Sequence, residues 1–386
     1  MRNKHICVLV SFLFIIGCVE PYKIGDTVPP SMLVVEGYVS NQLKKHQILL
    51  SRATALGNNS VSKESGAIVT ISRVDGETLL LTEDSVGVYV TPVFAAQDGG
   101  TYTIHIITSD GHEYSSAAVP YQDGPDITDV HATYQPNPHG DGKGIQVSVD
   151  TQDPANRGHY YRWNYIETYE LHAPFPSNWV WLGGNDVDYR KDGIDTCFVS
   201  DTLRRVIIRD THRLEQDKIE GLELRYIPET ESLLRHRYSI LIQQFSLSKE
   251  AHHYWDELRI ASETQGTLAD RQPGSLKGNM VSVTNSDEKV LGFFEVGKAS
   301  EKRIFFSAIT FYDQGMKMPR ELRASCYDLE PLVLDIGELG EKMPTLQHRM
   351  WIWEVAGMSP AIVVSLLPKE CCDCRDKGPT ERPDFF

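Results

Sequence analysis

The fold class is decided by short alternating segments in the first third of the chain. Residues 86–90 read VGVYV and residues 101–106 read TYTIHI, so that large apolar side chains recur at every second position. Successive side chains of a strand point to opposite faces, and this alternation is therefore typical of strands with one buried face. Asp75-Gly76 and Asp110-Gly111 lie between extended segments and are strong signals for tight hairpin turns. We predict a mainly β protein.

The same pattern extends on both sides of these segments. About seven strands fall within residues 32–121, and no helical pattern interrupts them, which is the size of an immunoglobulin-like or transthyretin-like β-sandwich. Residues 122–386 are predicted to form a larger β-rich domain. One helix is predicted there, at residues 249–263, with Ser248 as its cap and apolar residues at helical spacing.

The overall charge excludes one class of partner. The chain has 38 Lys and Arg residues against 53 Asp and Glu residues, which gives a formal net charge of −15. A chain with this excess of acidic residues has no general basic field to attract nucleic acid, so no nucleic-acid partner is expected. The proportions of hydrophobic residues (41%) and charged residues (24%) exclude a wholly disordered chain.

The N-terminus has the features of an export signal. Arg2 and Lys4 precede an apolar run, residues 6–16, that stops at Gly17-Cys18. This run is too short to span a bilayer, which needs about 20 apolar residues, and is typical of a signal peptide. We predict a lipoprotein signal at residues 1–17, lipid attachment at Cys18 and a tether over residues 18–31. The alternative is an ordinary secretory signal in which the cysteine has no role.

Five cysteines follow Cys18, and three of them lie close together near the C-terminus. Cys371 and Cys374 form a C-x-x-C motif, which occurs in zinc, iron–sulfur and redox sites. Four-cysteine metal sites usually combine two such motifs, and an exported protein experiences oxidising conditions, so structural disulfides are the favoured interpretation. We expect Cys197 and Cys326 to bond to two tail cysteines. Sequence alone leaves the connectivity open.

Two tryptophan pairs are candidate binding residues. Trp179 and Trp181, and likewise Trp351 and Trp353, are two residues apart and are therefore expected on one strand face each. Such rings stack on sugars or anchor protein interfaces, but they also occur as ordinary sheet core, and both interpretations stay open.

The sequence contains no strong signature of a cofactor, a metal or an active site. The acidic run at residues 185–195 is compatible with a weak calcium site, but its spacing is not that of an EF-hand. His252-His253 lacks the H-E-x-x-H pattern of zinc proteases, and there is no P-loop, no G-x-S-x-G motif and no strand-linked G-x-G-x-x-G motif. We expect no cofactor, no metal and no catalytic residue, although a pair of carboxylates distant in sequence is compatible with a hydrolase.

Several short motifs are spread over nearly the whole chain after Cys18. They are LVVEGYVSN at 33–41, GAIVTI at 66–71, YRW at 161–163, ETYE at 167–170, GNM at 278–280, VLGFF at 290–294, CCDC at 371–374 and PDFF at 383–386. With the lipoprotein signal, their order and spacing resemble the Bacteroidota lipoproteins catalogued as domain of unknown function 4249. The chain departs from that pattern at Phe386, where the family tends to end in Trp, and in the additional Cys372.

The resemblance implies a location and a partner but no catalytic residues. Proteins of this kind look like outer-membrane lipoproteins encoded beside TonB-dependent, SusC-like receptors, and the membrane face they occupy is not specified. The implied function is that of a non-enzymatic accessory subunit of an uptake or assembly complex. The alternative is a surface lipoprotein that binds a glycan or peptide through the tryptophans, and a hydrolase is the least favoured hypothesis.

Overall fold

The computed structural model describes residues 32–53, 62–203, 205–263, 276–321, 323–347, 349–358 and 361–386. The predicted signal peptide, Cys18 and the tether lie outside these ranges. The structure is 49% strand and 13% helix, which confirms the predicted mainly β class. Among the residues described, no helix is long and apolar enough to cross a membrane.

The first ten strands lie within the region predicted as a sandwich. They are β1 (Met32–Ser40), β2 (Gln47–Ala53), β3 (Ser62–Lys63), β4 (Ile68–Arg73), β5 (Thr78–Leu80), β6 (Thr82–Ser85), β7 (Val88–Val90), β8 (Thr101–Ile107), β9 (Glu113–Ser116) and β10 (Val119–Pro120). Asp75-Gly76 lies between β4 and β5, and Asp110-Gly111 lies between β8 and β9. Both strand pairs are antiparallel, so both predicted hairpins are confirmed.

The middle of the chain adds longer strands and one long helix. These elements are β11 (Ile127–Pro136), β12 (Lys143–Gln152), β13 (Tyr160–His172), β14 (Trp179–Gly183), β15 (Asp186–Tyr189), β16 (Thr196–Thr202), β17 (Ile207–Asp210), β18 (Lys218–Pro228), β19 (Tyr238–Ser246), α1 (Lys249–Glu263), β20 (Met280–Ser282), β21 (Leu291–Gly297) and β22 (Ala299–Phe306). Helix α1 has the predicted bounds, and the Ser248 hydroxyl accepts a 3.0 Å hydrogen bond from the Ala251 N–H, as expected of its cap.

The last part of the chain forms a small sheet with short helices. It contains β23 (Leu332–Asp335), α2 (Leu339–Leu346), β24 (Met350–Met358), β25 (Ala361–Pro368) and α3 (Lys369–Cys372). Single 3-10 turns lie at Ser232–Leu234, Ala308–Gln314, Ala324–Asp328 and Ile336–Glu338.

The N-terminal sandwich has two sheets and uses two strands from much later in the chain. One sheet has the order β21-β1-β2-β7-β6 with β3 on β2, and the other has the order β20-β9-β8-β4-β5 with β10 on β8. Strand β1 runs parallel to β21 and antiparallel to β2. The sandwich predicted over residues 32–121 is therefore completed by residues 280–297, which the sequence prediction assigned to the second domain. Phe294 and Val296 of β21 are buried in the same core as Leu33 and Val35.

A second hydrophobic core lies between two further sheets. The five-stranded sheet has the order β16-β13-β19-β22 with β17 on β13, and the three-stranded sheet has the order β11-β12-β18. Their apolar faces bury Ile145, Val147, Trp163, Ile240 and Ile242 almost completely. Helix α1 packs Ala251 and Tyr254 with Phe293 of β21 and also contacts β13, so the helix connects the five-stranded sheet to the edge of the sandwich.

Candidate functional site

Two disulfides fix the C-terminal tail to earlier parts of the chain. Cys197 of β16 is bonded to Cys374, and Cys326 is bonded to Cys371. These four residues are the disulfide candidates from the sequence, and the structure supplies the connectivity that the sequence left open. Because Cys371 and Cys374 bond to different partners, the C-x-x-C motif is not an internal redox pair here.

The remaining cysteine after Cys18, Cys372, is a buried thiol. Cys372 is fully buried and is the one free cysteine among the residues that the structure describes. Burial, together with the nearby carboxylates of Asp373 and Glu370, raises the pKa of this thiol to about 12. The thiolate is the nucleophilic and metal-binding form, so this environment disfavours reaction at Cys372 in the folded protein.

The structure brings all four candidate tryptophans together where β14 packs against β24. We call the small sheet of order β23-β25-β24, with the β14–β15 hairpin packed on it, the C-terminal unit. Trp179 and Trp181 both pack against the core of the small sheet, and Trp351 and Trp353 both pack around Cys371 and Cys372. The members of each pair thus share one cluster, as their two-residue spacing predicts. All four side chains are partly buried.

Three of these four tryptophans already contact other residues of the protein through their rings or the indole N–H. Trp179 lies 4.2 Å from the ring of Tyr189, measured between centroids, and Trp353 meets Phe175 edge to face at 5.2 Å. The indole N–H of Trp181 donates a 2.8 Å hydrogen bond to the Gly184 carbonyl. The surroundings of these three rings are those of packed core and hairpin residues.

Trp351 has different surroundings, because three cationic side chains lie around its ring. The distances to the ring centroid are 4.6 Å from Arg190, 5.1 Å from Lys369 and 5.7 Å from Arg375. All are within the range in which a cation is attracted to an aromatic face. Trp351 therefore forms the centre of a mixed aromatic and cationic surface, which we call the Trp351 surface.

An open cavity of about 730 Å³ adjoins the Trp351 surface. Its charged lining residues are three basic and three acidic side chains, Arg349, Lys369, Glu370, Asp373, Arg375 and Asp376. Burial raises the pKa of Asp373, but hydrogen bonds from Arg375, two of them 3.0 Å long, outweigh this and leave the pKa below its usual value. The cavity therefore presents fixed charges of both signs beside an aromatic ring.

The acidic run at residues 185–195 does not converge on a common point. Asp188 accepts a hydrogen bond from the N–H of Tyr189, while Asp192 pairs with Arg190 at 3.4 Å and with Arg375 at 3.6 Å. In the described ranges, this run contributes no group of three side chains close enough to share a metal ion. His252 and His253 point to different faces of α1: His252 is partly buried and His253 is exposed.

A buried charge pair near α1 was missed by the sequence analysis. Glu295 of β21 accepts a 2.9 Å hydrogen bond from the indole of Trp255 and lies 3.5 Å from Arg162 of β13. The Arg162 guanidinium lies between the rings of Phe245 and Trp255, at 4.6 and 4.3 Å. Burial raises the pKa of Glu295, although Arg162 and Trp255 favour the charged form. The pair ties α1, β13 and β21 together.

Fold and site together define a mainly β, disulfide-linked protein with an open, charged aromatic surface near its C-terminus. The chain belongs to the family described as "Domain of unknown function (DUF4249)", whose model matches residues 19–303. That match ends before the C-terminal sheet and before Trp351 itself, although it includes Arg190. A search of curated proteins finds no match.

The comparison with solved structures finds only low similarity. Pullulanase from Anoxybacillus sp. LM18-11, alone and complexed with maltotriose, is 13% identical to this chain with a TM-score of 0.16. The alignment covers 55% of this chain and 24% of the pullulanase chain. At that TM-score, the likeness carries no conclusion about this protein.

Proposed function

We propose that this protein is a non-enzymatic lipoprotein of the outer membrane that acts as an accessory subunit beside a TonB-dependent, SusC-like receptor. The proposal combines the N-terminal signal ending at Cys18, the family to which the chain belongs and the way in which the folded part begins. Under this proposal the partner is a membrane protein, and the role of the chain is to bind it and not to catalyse a reaction.

The observation that carries the proposal is the position of β1. Met32, its first residue, follows Cys18 after only 13 intervening residues, 19–31. A chain of that length spans at most about 50 Å when fully extended. Strand β1 is held on both sides, by β2 and β21, so a lipid on Cys18 would keep Met32 within that distance of the bilayer and hold the attached sandwich near the membrane. Confinement to a membrane raises the effective concentration of a partner in the same membrane, and even a weak contact then becomes populated.

Two buried carboxylates have structural partners. Glu167 accepts a 2.7 Å hydrogen bond from Tyr238 and pairs with Arg225 at 3.1 Å. Asp217 accepts hydrogen bonds from Tyr161 and Thr211 inside the second core. Saturated, buried networks of this kind hold sheets together, whereas a catalytic acid or base must reach a substrate.

The test is affinity purification of the full-length protein from native membranes in mild detergent, after cross-linking in intact cells. We expect a TonB-dependent barrel as the main cross-linked partner and reduced recovery of that barrel with Cys18→Ser. Cys7→Ser, within the signal, is the matched control and should retain the partner. Recovery of self-contacts only, with unchanged uptake after deletion of the gene, would contradict the proposal.

A second candidate function rests on the Trp351 surface, which could bind a glycan or a peptide carrying charges of both signs. We expect such a ligand to quench tryptophan fluorescence in the purified protein without any receptor. Trp351→Phe should remove most of the quenching, whereas Trp179→Phe, at a ring already stacked on Tyr189, should not. Saturable quenching that is equal in both variants would exclude this surface as the binding site.

A further inference from the structure

Four titratable side chains from three separate segments meet at one end of the five-stranded sheet. Glu170 and His172 are at the end of β13, His236 precedes β19, and Glu321 follows the 3-10 turn at Ala308–Gln314. Nitrogen and oxygen atoms of Glu170, His172 and His236 all lie within 4.8 Å of one another. We call these three residues the histidine cluster.

The two imidazoles of the cluster face each other closely. Their ring centroids are 3.8 Å apart with an interplanar angle of 24°. The Nε2 atom of His172 lies 2.6 Å from a Glu170 oxygen. The Nε2 atom of His236 is buried and has no hydrogen-bond partner among the described residues, although a Glu321 oxygen lies 3.4 Å away. The cluster thus contains an imidazole nitrogen that its own neighbours leave unsatisfied.

We propose that the histidine cluster binds a divalent transition-metal ion of the zinc type through His172, His236 and Glu170. Two imidazoles and a carboxylate are a ligand set that zinc accepts, and three protein ligands leave a fourth position for water or Glu321. Ligand atoms around a tetrahedral zinc ion are about 3.3 Å apart when each bond is about 2.0–2.1 Å long. The distances between the ligand atoms, from 2.6 Å between His172 and Glu170 up to 4.8 Å within the group, lie on both sides of that value.

The backbone around the cluster is held in place before any ion binds. The N–H of Glu170 donates to the carbonyl of Arg237 at 2.9 Å, which continues the pairing of β13 with β19. On the other side of β13, Leu171 lies opposite Cys197, which is bonded to Cys374. Donors on restrained segments lose little conformational freedom when they bind an ion, and this favours a preorganised site.

The cluster is also accessible and has a surrounding layer of polar groups. The side chains of Glu170, His172 and His236 are 25%, 37% and 23% exposed, so the cluster lies at the protein surface, although the His236 Nε2 atom itself is buried. A cavity of about 550 Å³, lined by Arg235, Arg320 and Glu321 among others, adjoins the cluster through Glu321. Arg235 forms an ion pair with Glu321 and so orients the carboxylate beside His236. Such outer partners typically tune metal affinity by 10–100-fold.

This proposal is independent of the proposed membrane function, and its test needs no receptor. Zn²⁺ is titrated into full-length protein in detergent against a chromophoric chelator. We expect one equivalent to bind and the protein to melt at a higher temperature with Zn²⁺ present. His172→Gln and His236→Gln should each weaken binding at least tenfold, and the double variant should bind no stoichiometric zinc. His253→Gln, at an exposed histidine on α1, is the matched control and should bind as the unaltered protein does.

A second measurement keeps the test decisive if a variant fails to fold. Crystals of the unaltered protein soaked in Zn²⁺ should give an anomalous difference peak between His172 and His236. Folded, unaltered protein that binds no stoichiometric zinc would overturn the proposal. It would also be overturned by binding that persists in the folded double variant, or by a peak confined to other residues.

Discussion

Gly292 of β21 lies directly opposite Val35 of β1, and the two strands approach so closely there that a side chain would not fit. A Cβ atom at Gly292 would be 1.9 Å from the Val35 carbonyl oxygen, and its φ of +104° is unfavourable for other residues. This contact joins the first described strand to a strand from late in the chain. Gly292 belongs to the VLGFF motif at residues 290–294, which contributes to the family resemblance.

We predict that Gly292→Ala strongly destabilises the protein. The new methyl group would have to separate β1 from β21, in addition to the unfavourable φ, so we expect a loss of about 3 kcal/mol or more in the free energy of unfolding. Denaturant titration measures this. Gly111→Ala is the matched control, because φ there is +85° but no atom lies within 4 Å of the added Cβ. Equal losses in the two variants would mean that the close strand approach contributes nothing.

We predict that the Cys197–Cys374 disulfide stabilises the C-terminal unit. The paired replacement of Cys197 and Cys374 by Ala removes the covalent link across a long loop without leaving a free thiol. We expect a loss of about 2–5 kcal/mol. Cys372→Ala is the control: it removes a buried thiol but neither disulfide and should lower stability by less. Non-reducing peptide mapping provides an independent check, since both crosslinks should be found and Cys372 should resist alkylation until the protein unfolds.

We predict that Cys18→Ser releases the protein from the membrane. The two or more acyl chains of a bacterial lipoprotein anchor firmly because each buried CH₂ contributes about 0.8 kcal/mol. Cell fractionation with palmitate labelling is the measurement, and Cys7→Ser should still be labelled and sediment with membranes. A Cys18→Ser protein that carries label and remains in the outer membrane would refute lipid attachment at this residue.

We predict that stability falls as pH falls below about 6.5, in part because of His46. Burial lowers the pKa of His46, more than its hydrogen bond to the Phe94 carbonyl raises it. At pH values between the pKa of His46 in the folded protein and its pKa of about 6.5 in the unfolded chain, the unfolded chain binds a proton that the folded protein does not, so acid favours the unfolded state. The contribution of His46 to the free energy of unfolding is therefore fully present above the pKa of the unfolded chain and declines as the pH falls through this window.

The measurement for His46 is the free energy of unfolding at several values from pH 5 to 8. His46→Gln should reduce the dependence on pH, whereas the exposed His253→Gln should leave it unchanged. Burial also lowers the pKa of His236 and His252, so a part of the slope should persist in His46→Gln. If the free energy of unfolding of His46→Gln depended on pH as strongly as that of the unaltered protein, His46 would have the same pKa in the folded and unfolded states, which would contradict this prediction.

Local features were predictable from the sequence, and long-range ones were not. Helix α1 has the predicted bounds because its cap and its apolar spacing are contained in one short segment. The hairpins at Asp75-Gly76 and Asp110-Gly111 were predictable for the same reason. The pairing of β1 with β21 is parallel and joins distant segments, and no turn signal marks such a pairing.

The same distinction applies to the candidate sites. The four tryptophans stood out by their two-residue spacing, but only the fold separates Trp351, with cations around it, from the three rings packed by their neighbours. Glu170 and His172 also have that spacing on one strand face, which was an available signal for the histidine cluster. His236 reaches them through the pairing of β13 with β19, which composition and periodicity do not specify.

The position of β21 late in the sequence has a consequence for how the protein folds during synthesis. The ribosome makes β1 early, but one edge of that strand stays unpaired until about residue 297 has been synthesised. An open strand edge is a template for unwanted association with other chains. We therefore expect a fragment ending near residue 121 to aggregate, and a chaperone that shields β1 to matter more for this protein than for a sandwich built from consecutive strands.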